Sequence, residues 1–304
     1  MICKECNVQF DNELALHKHL RSHKMPIAYY FQKHFPRYDL YDGSLIKFKS
    51  KDYYFNTNFN NRNNFSKWLS KASKEDCKKY IIDFLVKRKN NKKIIYAPTQ
   101  VELKTLMCPG MKYINDLFGD YYQLTNSLGF INKFKKYKLD SVSKLHHNKK
   151  IIIDSREQKS LSFANTEING LKFGDYKLKY EDNKLVIERK AVGDFFSTFG
   201  FQSERFIKEI ERSRLEGYYM IIVTEGTISD VNNYPFSSYL RNKIKISPEV
   251  VFYTVREISQ KYDSIQFLFV KNRSESERVI KKIFACSGEI KEIDCQYIYD
   301  IKEL

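Results

Sequence analysis

The second half of the chain alternates between short apolar runs and amphipathic stretches. Each run is bounded by polar residues or by Gly, as expected for buried strands, whereas the amphipathic stretches have apolar residues at three-and-four spacing, as expected for helices. The pattern predicts strands at 151–154, 185–190, 219–223 and 265–270, and helices at 205–214, 247–262 and 274–284. Strands that alternate with helices in this way predict an α/β fold.

The first half has a different pattern, because its apolar positions follow helical rather than strand spacing. Apolar residues recur at three-and-four spacing between Ser73 and Lys89, and Ser73 followed by Glu75 and Asp76 is a typical helix start. Short helical stretches then follow, interrupted by Pro and Gly, as far as Phe130. Residues 26–145 are therefore predicted to form a mainly helical region.

Charge separates the two halves further. Residues 1–150 contain 29 Lys and Arg against 13 Asp and Glu, whereas residues 151–304 contain 24 of each, so the first half carries the whole net charge of +16. A basic region of this kind suits binding to nucleic-acid phosphates, and a neutral region can keep ionised carboxylates beside them. The alternative interpretation is a solvated, lysine-rich surface without a specific partner.

The cysteine content and the hydropathy of the chain indicate in which cellular compartment the protein is found. The six cysteines are too few and too scattered for a disulfide framework in a chain of 304 residues, and no apolar run approaches the length of a membrane span. We therefore expect a soluble, intracellular protein without a membrane partner. It would be cytoplasmic in a prokaryotic or viral setting and nuclear in a eukaryotic one.

A metal-ligand spacing opens the chain. Cys3 and Cys6 are followed after twelve residues by His19 and His23, and this two-cysteine, two-histidine spacing predicts a tetrahedral zinc site in residues 1–25. Such a site has no free coordination position, so zinc would be structural. The segment resembles the common nucleic-acid-binding zinc finger, and its partner could be DNA or protein.

A second candidate site arises from a predicted hairpin in the second half. Gly174-Asp175-Tyr176 precedes an alternating run, a polar turn and the strand that contains Glu188, Arg189 and Lys190. If the turn centres between Asp182 and Asn183, Asp175 lies opposite Lys190 and diagonal to Glu188, while Arg189 points to the other face. Two carboxylates and an amine then converge, which suits magnesium or manganese and needs no small-molecule cofactor.

These residues belong to a longer ordered pattern that resembles the nuclease domain of the XPF family. The pattern comprises Ile153-Asp154-Ser155-Arg156-Glu157, Gly174-Asp175, Glu188-Arg189-Lys190 and Asp194. The resemblance covers about residues 150–285 and implies a restriction-endonuclease-like mixed sheet flanked by helices, with cleavage of branched or forked DNA. By the same resemblance, catalytic roles fall to Asp154, Asp175, Glu188, Arg189, Lys190 and Asp194, with Asp154, Asp175 and Glu188 as magnesium ligands and less specific roles for Glu157 and Arg205, the latter as a DNA contact.

The resemblance also sets expectations for the rest of the chain. Members of the family usually carry tandem helix-hairpin-helix motifs after the nuclease domain, and the tail at 286–304 is too short for them. We therefore expect the basic first half to bind DNA. Some relatives pair through the nuclease domain, so this chain could form a homodimer.

Part of the helical region has a resemblance of its own. Residues 73–130 look like the homing-endonuclease-associated repeat, on the basis of Pro98-Thr99 before one helix, Pro109 before the next, and the exit at Leu128-Gly129-Phe130. This resemblance implies that the helix after Pro109 approaches DNA, with Lys112 as a phosphate contact. The other interpretation is an ordinary helical spacer.

Three functions remain open from the sequence. The first is a structure-selective endonuclease for forks, flaps or branched junctions, which the XPF-like pattern favours. The second is a site-directed duplex endonuclease of mobile-element or viral type, which the finger and the repeat favour. The third is a DNA-binding scaffold without turnover, against which the full set of acids and lysine argues.

Overall fold

The computed structural model describes residues 1–48, 51–139, 149–180, 184–234, 247–286 and 288–304. Within these ranges the helices are α1 (Glu13–His19), α2 (Ile27–His34), α3 (Lys51–Asn56), α4 (Arg62–Lys71), α5 (Lys74–Lys92), α6 (Gln100–Thr105), α7 (Met111–Phe118), α8 (Tyr121–Ser127), α9 (Val192–Phe196), α10 (Ser203–Leu215), α11 (Ile228–Asn232), α12 (Pro248–Lys261), α13 (Arg273–Ala285) and α14 (Cys295–Asp300). The strands are β1 (Ile151–Asp154), β2 (Thr166–Asn169), β3 (Tyr176–Leu178), β4 (Leu185–Ala191), β5 (Tyr219–Glu225) and β6 (Ile265–Val270).

The chain forms two compact units. The first consists of Met1–Ile94 with Leu106–Pro109 and Leu117–Gly119, and the second consists of Ile95–Thr105, Gly110–Asp116 and Asp120–Leu304. The predicted repeat-like segment at 73–130 is thus divided between the two units. Across the described ranges, no helix is long and apolar enough to cross a membrane.

A mixed sheet forms the centre of the second unit. In the described residues it has six strands in the order β2-β1-β3-β4-β5-β6. The pairs β1–β2, β4–β5 and β5–β6 are parallel, while β3 is antiparallel to both of its neighbours. Helices cover the sheet, so the predicted α/β class and mixed sheet are confirmed.

The apolar runs form strands because both of their faces are buried. All six residues of β6 are buried, as are the first six of β5, which explains why these segments lack the alternation of a half-exposed strand. On one face, Val186 and Ile222 share a core with Phe206 and Ile210 of α10 and with residues of α12. The seven strands and helices predicted for the second half of the chain begin and end within two residues of the predicted positions.

The segment predicted as a C-terminal tail is part of this second unit. Ile290, Ile293 and Ile298 are fully buried. The carboxylate of Asp300 accepts hydrogen bonds from Gln100 Nε2 at 2.7 Å and Lys104 Nζ at 2.8 Å. These contacts explain why α6 belongs to the second unit rather than to the helical unit predicted from the sequence.

The described residues of the first unit form small aromatic cores. Phe59, Phe65, Trp68 and Tyr80 stack in a chain with ring centroids 5.1 to 6.0 Å apart. The predicted helix after Ser73 is confirmed, because the Ser73 hydroxyl accepts from the Asp76 N–H and the apolar stripe is buried. Aromatic side chains thus supply much of the buried surface of this unit.

Candidate active site and metal centre

The approach of Asp175 to β4 depends on the glycine before it. Gly174 has φ +70°, and a Cβ at this position would lie 2.9 Å from the carbonyl oxygen of Ile187. The Asp175 N–H donates to that same carbonyl at 2.7 Å. Any larger residue would therefore be strained at position 174 and would also push the two strands apart. The Gly-Asp pair is thus explained by local geometry.

The hairpin register differs from the predicted one by two residues. Tyr176 pairs with Ile187 and Lys177 pairs with Val186, so the same register continued by one residue would bring Asp175 to Glu188 rather than to Lys190. The predicted turn residues Asp182 and Asn183 lie outside the described residues, but Tyr180 and Lys184 beside them have positive φ values of 59° and 49°. A shift of two residues preserves the face on which each side chain lies, so the predicted convergence of the acids does not depend on the exact register.

Three acids follow one another across three adjacent strands. The Asp154 N–H donates to the Asp175 carbonyl at 2.9 Å, which continues the β1–β3 pairing to this position. Asp154 and Asp175 are therefore neighbours, and the Arg189 N–H, which donates to the Asp175 carboxylate, joins Asp175 to β4 beside Glu188. The Asp154 carboxylate is already engaged, since it accepts from Arg156 Nε at 2.7 Å and from the Leu171 N–H at 3.1 Å. Asp175 and Glu188 are thus the acids more available to a ligand.

Burial and mutual repulsion disfavour the ionised forms of these two acids. Burial, reinforced by the charge of Glu188, raises the pKa of Asp175 to about 8. Burial likewise raises the pKa of Glu188, although Lys190 opposes this effect. Two adjacent carboxylates that resist ionisation are a setting in which a bound cation would be strongly favoured.

Lys190 lies on the face that carries the acids. Its Nζ donates to Glu188 Oε1 at 2.5 Å and stands 5.6 Å from the ring centre of Phe206. Burial alone would lower the pKa of Lys190, but the charge and hydrogen bond of Glu188 raise it above its ordinary value. The amine is therefore held as a cation beside the carboxylates.

Arg189 lies on the opposite face, as the alternation predicts. Its guanidinium pairs with Glu157 at 2.8 Å and Glu225 at 3.0 Å. Its backbone N–H nevertheless donates to Asp175 Oδ2 at 2.7 Å. We call the face that carries Asp154, Asp175 and Glu188 the acid face. The sequence identified Glu157 only through the resemblance and did not identify Glu225.

Among the described residues, the remaining predicted site residues do not hydrogen-bond to Asp175 or Glu188. Asp194 is exposed in the first turn of α9, and Lys190 bonds Glu188 instead of Asp194. Arg205 is exposed on α10. Lys112 is exposed on α7 and pairs with Asp116 at 3.4 Å. A role in DNA binding for Arg205 and Lys112, and a catalytic role for Asp194, stay predictions.

Glu209 on α10 is a neighbour of the site that the sequence reasoning missed. Its charge contributes to the raised pKa values of both Glu188 and Lys190. The signal that could have found it is helical spacing, because Glu209 is one turn after Phe206, the residue beneath Lys190.

The four predicted zinc ligands come together in the first unit. The sulfur and ring-nitrogen atoms of Cys3, Cys6, His19 and His23 lie within 4.8 Å of one another. Cys6 Sγ is 3.2 Å from His19 Nε2, and Cys3 Sγ is 3.7 Å from His23 Nε2. Separations of this size between ligand atoms are compatible with tetrahedral zinc. A closed set of two thiolates and two imidazoles fits a structural ion.

Two details of the finger go beyond what the ligand spacing predicts. His19 is the last residue of α1, and His23 follows in a turn in which its N–H donates to Leu20, so the two histidines do not share one α-helix. The finger core also extends beyond residue 25, since Tyr30 of α2 is buried with Cys3 and Leu16. The Tyr30 hydroxyl accepts from the Lys4 N–H at 2.9 Å, so α2 is packed onto the finger.

The acid face has a different donor chemistry. Among the described residues, the finger ligands are the only group of three or more potential ligands gathered this closely, and Asp154, Asp175 and Glu188 do not form such a group. Carboxylate oxygens on a partly open face fit magnesium or manganese, which retain water ligands and use few protein oxygens.

Residues 147–283 match the family described as the ERCC4 domain. Similar solved structures include XPF from Aeropyrum pernix, with 19% identity, a TM-score of 0.33, and coverage of 45% of this chain and 61% of that chain. They also include XPF from Aeropyrum pernix in complex with DNA, with 20% identity, a TM-score of 0.33, and coverage of 46% and 66%. No curated protein gives a significant match.

Proposed function

We propose that the chain is a metal-dependent DNA endonuclease that hydrolyses phosphodiesters at branched, forked or flapped DNA. The observation that carries the proposal is that two acids meet at one stretch of β4, where Asp175 accepts from the Arg189 N–H and Glu188 accepts from Lys190 Nζ. The match of residues 147–283 to the ERCC4 domain supports the same reaction class. An inert scaffold would have no need to hold two mutually repelling acids at one place.

Each residue of the site has a distinct part in the proposed reaction. Asp175 and Glu188 would hold a magnesium or manganese ion, and Asp154 would support Asp175 from the neighbouring strand. When bound, the ion would polarise the scissile phosphate and lower the pKa of an attacking water. Lys190, held as a cation, would orient that water and neutralise charge that develops at the phosphate.

The basic first half would supply most of the affinity for DNA. Residues 1–150 carry the whole net charge of +16, and this region contains the finger ligands Cys3, Cys6, His19 and His23. Lysine and arginine contacts to phosphates give affinity that depends on salt and carries little sequence information. We therefore propose that this half binds DNA and that hydrolysis takes place at the acid face.

A substrate panel tests this proposal. Wild-type protein and Glu188→Gln are mixed with magnesium and with end-labelled DNA of four kinds: linear duplex, fork, flap and four-way junction. We expect wild type to cut near the branch points and Glu188→Gln to bind the same DNAs without cutting them.

The other outcomes separate the remaining functions. Cleavage of long duplex DNA at discrete sites, without preference for branches, would support a site-directed endonuclease instead. Binding without cleavage by wild type in both magnesium and manganese would support the scaffold. Cleavage that survives in Glu188→Gln would remove the acid face from the reaction.

A further inference from the structure

A second charged network is built around Arg189, whose side chain lies on the other face of β4 from Glu188. It consists of Glu157, Arg189, Glu225 and Arg273, in that order, and we call it the charge bracket. Arg189 pairs with Glu157 at 2.8 Å and with Glu225 at 3.0 Å, and Glu225 pairs with Arg273 at 3.0 Å. The side chains of Glu157, Arg189 and Glu225 are only 8 to 10% exposed. Pairs this well shielded from water hold their partners firmly, and loss of one member leaves a costly charge behind.

The charge bracket fixes the loop that follows β1. Arg273 Nη2, at the start of α13, donates to the carbonyl oxygens of Lys159 and Ser160 at 2.7 and 2.8 Å. The Glu157 carboxylate also accepts from the Lys159 N–H at 2.8 Å. The loop is therefore held by Arg189 at one point and by Arg273 at two others.

The same network reaches the acid face through one residue. Arg189 directly follows Glu188 on β4, and its backbone N–H donates to the Asp175 carboxylate at 2.7 Å. A shift of the Arg189 guanidinium would therefore move the backbone that carries Glu188 and the donor that orients Asp175. Partners behind the ligands commonly set metal affinity in this way.

We infer that Arg273 is a positioning residue for the proposed nuclease site and acts through Glu225 and Arg189. This inference rests on the proposed function. Without Arg273, Glu225 would retain Arg189 as its ion-pair partner, and the guanidinium would be drawn away from Glu157. The loop at 157–160 would lose two further hydrogen bonds at the same time.

The competing explanation is a direct contact with DNA, because Arg273 is 43% exposed. A phosphate contact would change the affinity for DNA and leave metal binding alone. A positioning role would weaken metal binding in the absence of DNA and would lower kcat with little change in DNA affinity. These readouts separate the two explanations.

The test compares Arg273→Met with Arg278→Met. Arg278 is a matched control, since it lies on the same helix, is also 43% exposed, and pairs with Glu275 at 2.7 Å away from the charge bracket. Manganese affinity is titrated without DNA, the Kd for a fork is measured in calcium, and kcat is measured in saturating magnesium. We expect Arg273→Met to lose about tenfold in manganese affinity and in kcat, by analogy with other residues behind metal ligands. Its Kd for DNA should stay within about twofold of wild type, and Arg278→Met should match wild type in all three.

Several results would overturn the inference. They are unchanged manganese affinity and kcat in Arg273→Met, a change confined to the Kd for DNA, or equal losses in Arg278→Met. If Arg273→Met does not fold, Arg273→Lys replaces it, and we then expect a smaller loss in the same two quantities; wild-type values would refute the inference. Failure of wild type to bind manganese or cut DNA would instead refute the proposed function.

Discussion

The finger and the acid face are both candidate metal sites, but they reach their geometry by opposite routes. The finger gathers its ligands from 21 consecutive residues, Cys3 to His23, and its ligand atoms lie within 4.8 Å of one another. The acid face takes Asp154 from β1, Glu188 from β4 and Asp175 from the residue before β3, and each carboxylate accepts a hydrogen bond from the protein. A closed thiolate–imidazole set fits a structural ion, whereas spaced carboxylates leave room for water and a phosphate. The comparison teaches that compact clustering of ligands does not by itself identify the site of chemistry.

Replacement of Asp175 by Asn should have the largest effect. Loss of a ligand carboxylate removes several kcal/mol of transition-state stabilisation, so we expect kcat on forked DNA to fall by about a thousandfold. Single-turnover cleavage measures this change. Glu167→Gln is the control. Glu167 is a carboxylate on the edge strand β2 of the same sheet, and it pairs with Lys179. A loss below about tenfold in Asp175→Asn would remove Asp175 from the reaction.

Loss of zinc from the finger should act on binding rather than on chemistry. Cys6→Ser should lose zinc, loosen the packing of α2 on the finger, and weaken DNA binding by roughly tenfold as phosphate contacts are lost. At saturating protein, kcat should stay near the wild-type value. Zinc content and the Kd for DNA are measured beside His17→Ala, a control that changes an exposed histidine of α1 outside the ligand set. If kcat collapses while the protein is saturated with DNA, the division between the two sites is wrong.

A third change tests the backbone that positions Asp175. Gly174→Ala should lower the free energy of unfolding by about 3 kcal/mol, because the added Cβ meets both a positive φ and the Ile187 carbonyl. Cleavage by Gly174→Ala should also fall, because Gly174 positions Asp175. Gly217→Ala is the matched control, since Gly217 has φ +76° in the same unit but its nearest neighbours would be 3.8 Å away. Equal destabilisation of the two variants in urea would show that the close approach at Gly174 has no effect.

A buried acid outside both sites should make the stability of the protein depend on pH. Burial raises the pKa of Asp294 to about 6, and its carboxylate accepts from the N–H groups of Gln100 and Tyr297. The folded state then binds more protons than the unfolded state between about pH 4 and 6, so this residue lowers stability as pH rises through that window, by up to about 1.4 kcal/mol per pH unit.

Asp294→Asn isolates that contribution. The variant should lose this slope, while cleavage at neutral pH should be retained. Thermal unfolding of wild type and variant at several pH values between 4 and 6 gives the comparison. A wild-type slope that is unchanged in Asp294→Asn would assign the pH dependence to other groups. Retained cleavage in Asp294→Asn would also show that a raised pKa does not by itself mark an active-site acid.

Local sequence signals predicted much of the fold. Long buried strands such as β5 and β6 were evident as apolar runs, and the cap at Ser73 placed the start of α5. The edge strand β2 was missed, because Thr166–Asn169 is mostly exposed and has little apolar pattern. Its strand conformation depends on pairing with β1, which only the tertiary structure supplies.

The candidate sites show the same limit. The clustering of the four predicted zinc ligands followed from their local spacing, and strand alternation predicted a shared face for Asp175 and Glu188. The register was wrong by two residues, because a turn containing several polar residues does not fix its own centre. Glu225 and Arg273 were missed because their pairing joins the end of one strand to a helix 48 residues later.

The most direct test of the central claim is an anomalous diffraction map from crystals of the protein soaked in manganese. The account predicts a manganese peak within bonding distance of the Asp175 and Glu188 carboxylates, and loss of that peak in Asp175→Asn. A manganese-activated wild-type enzyme whose peak lies elsewhere, with none between these two carboxylates, would contradict it.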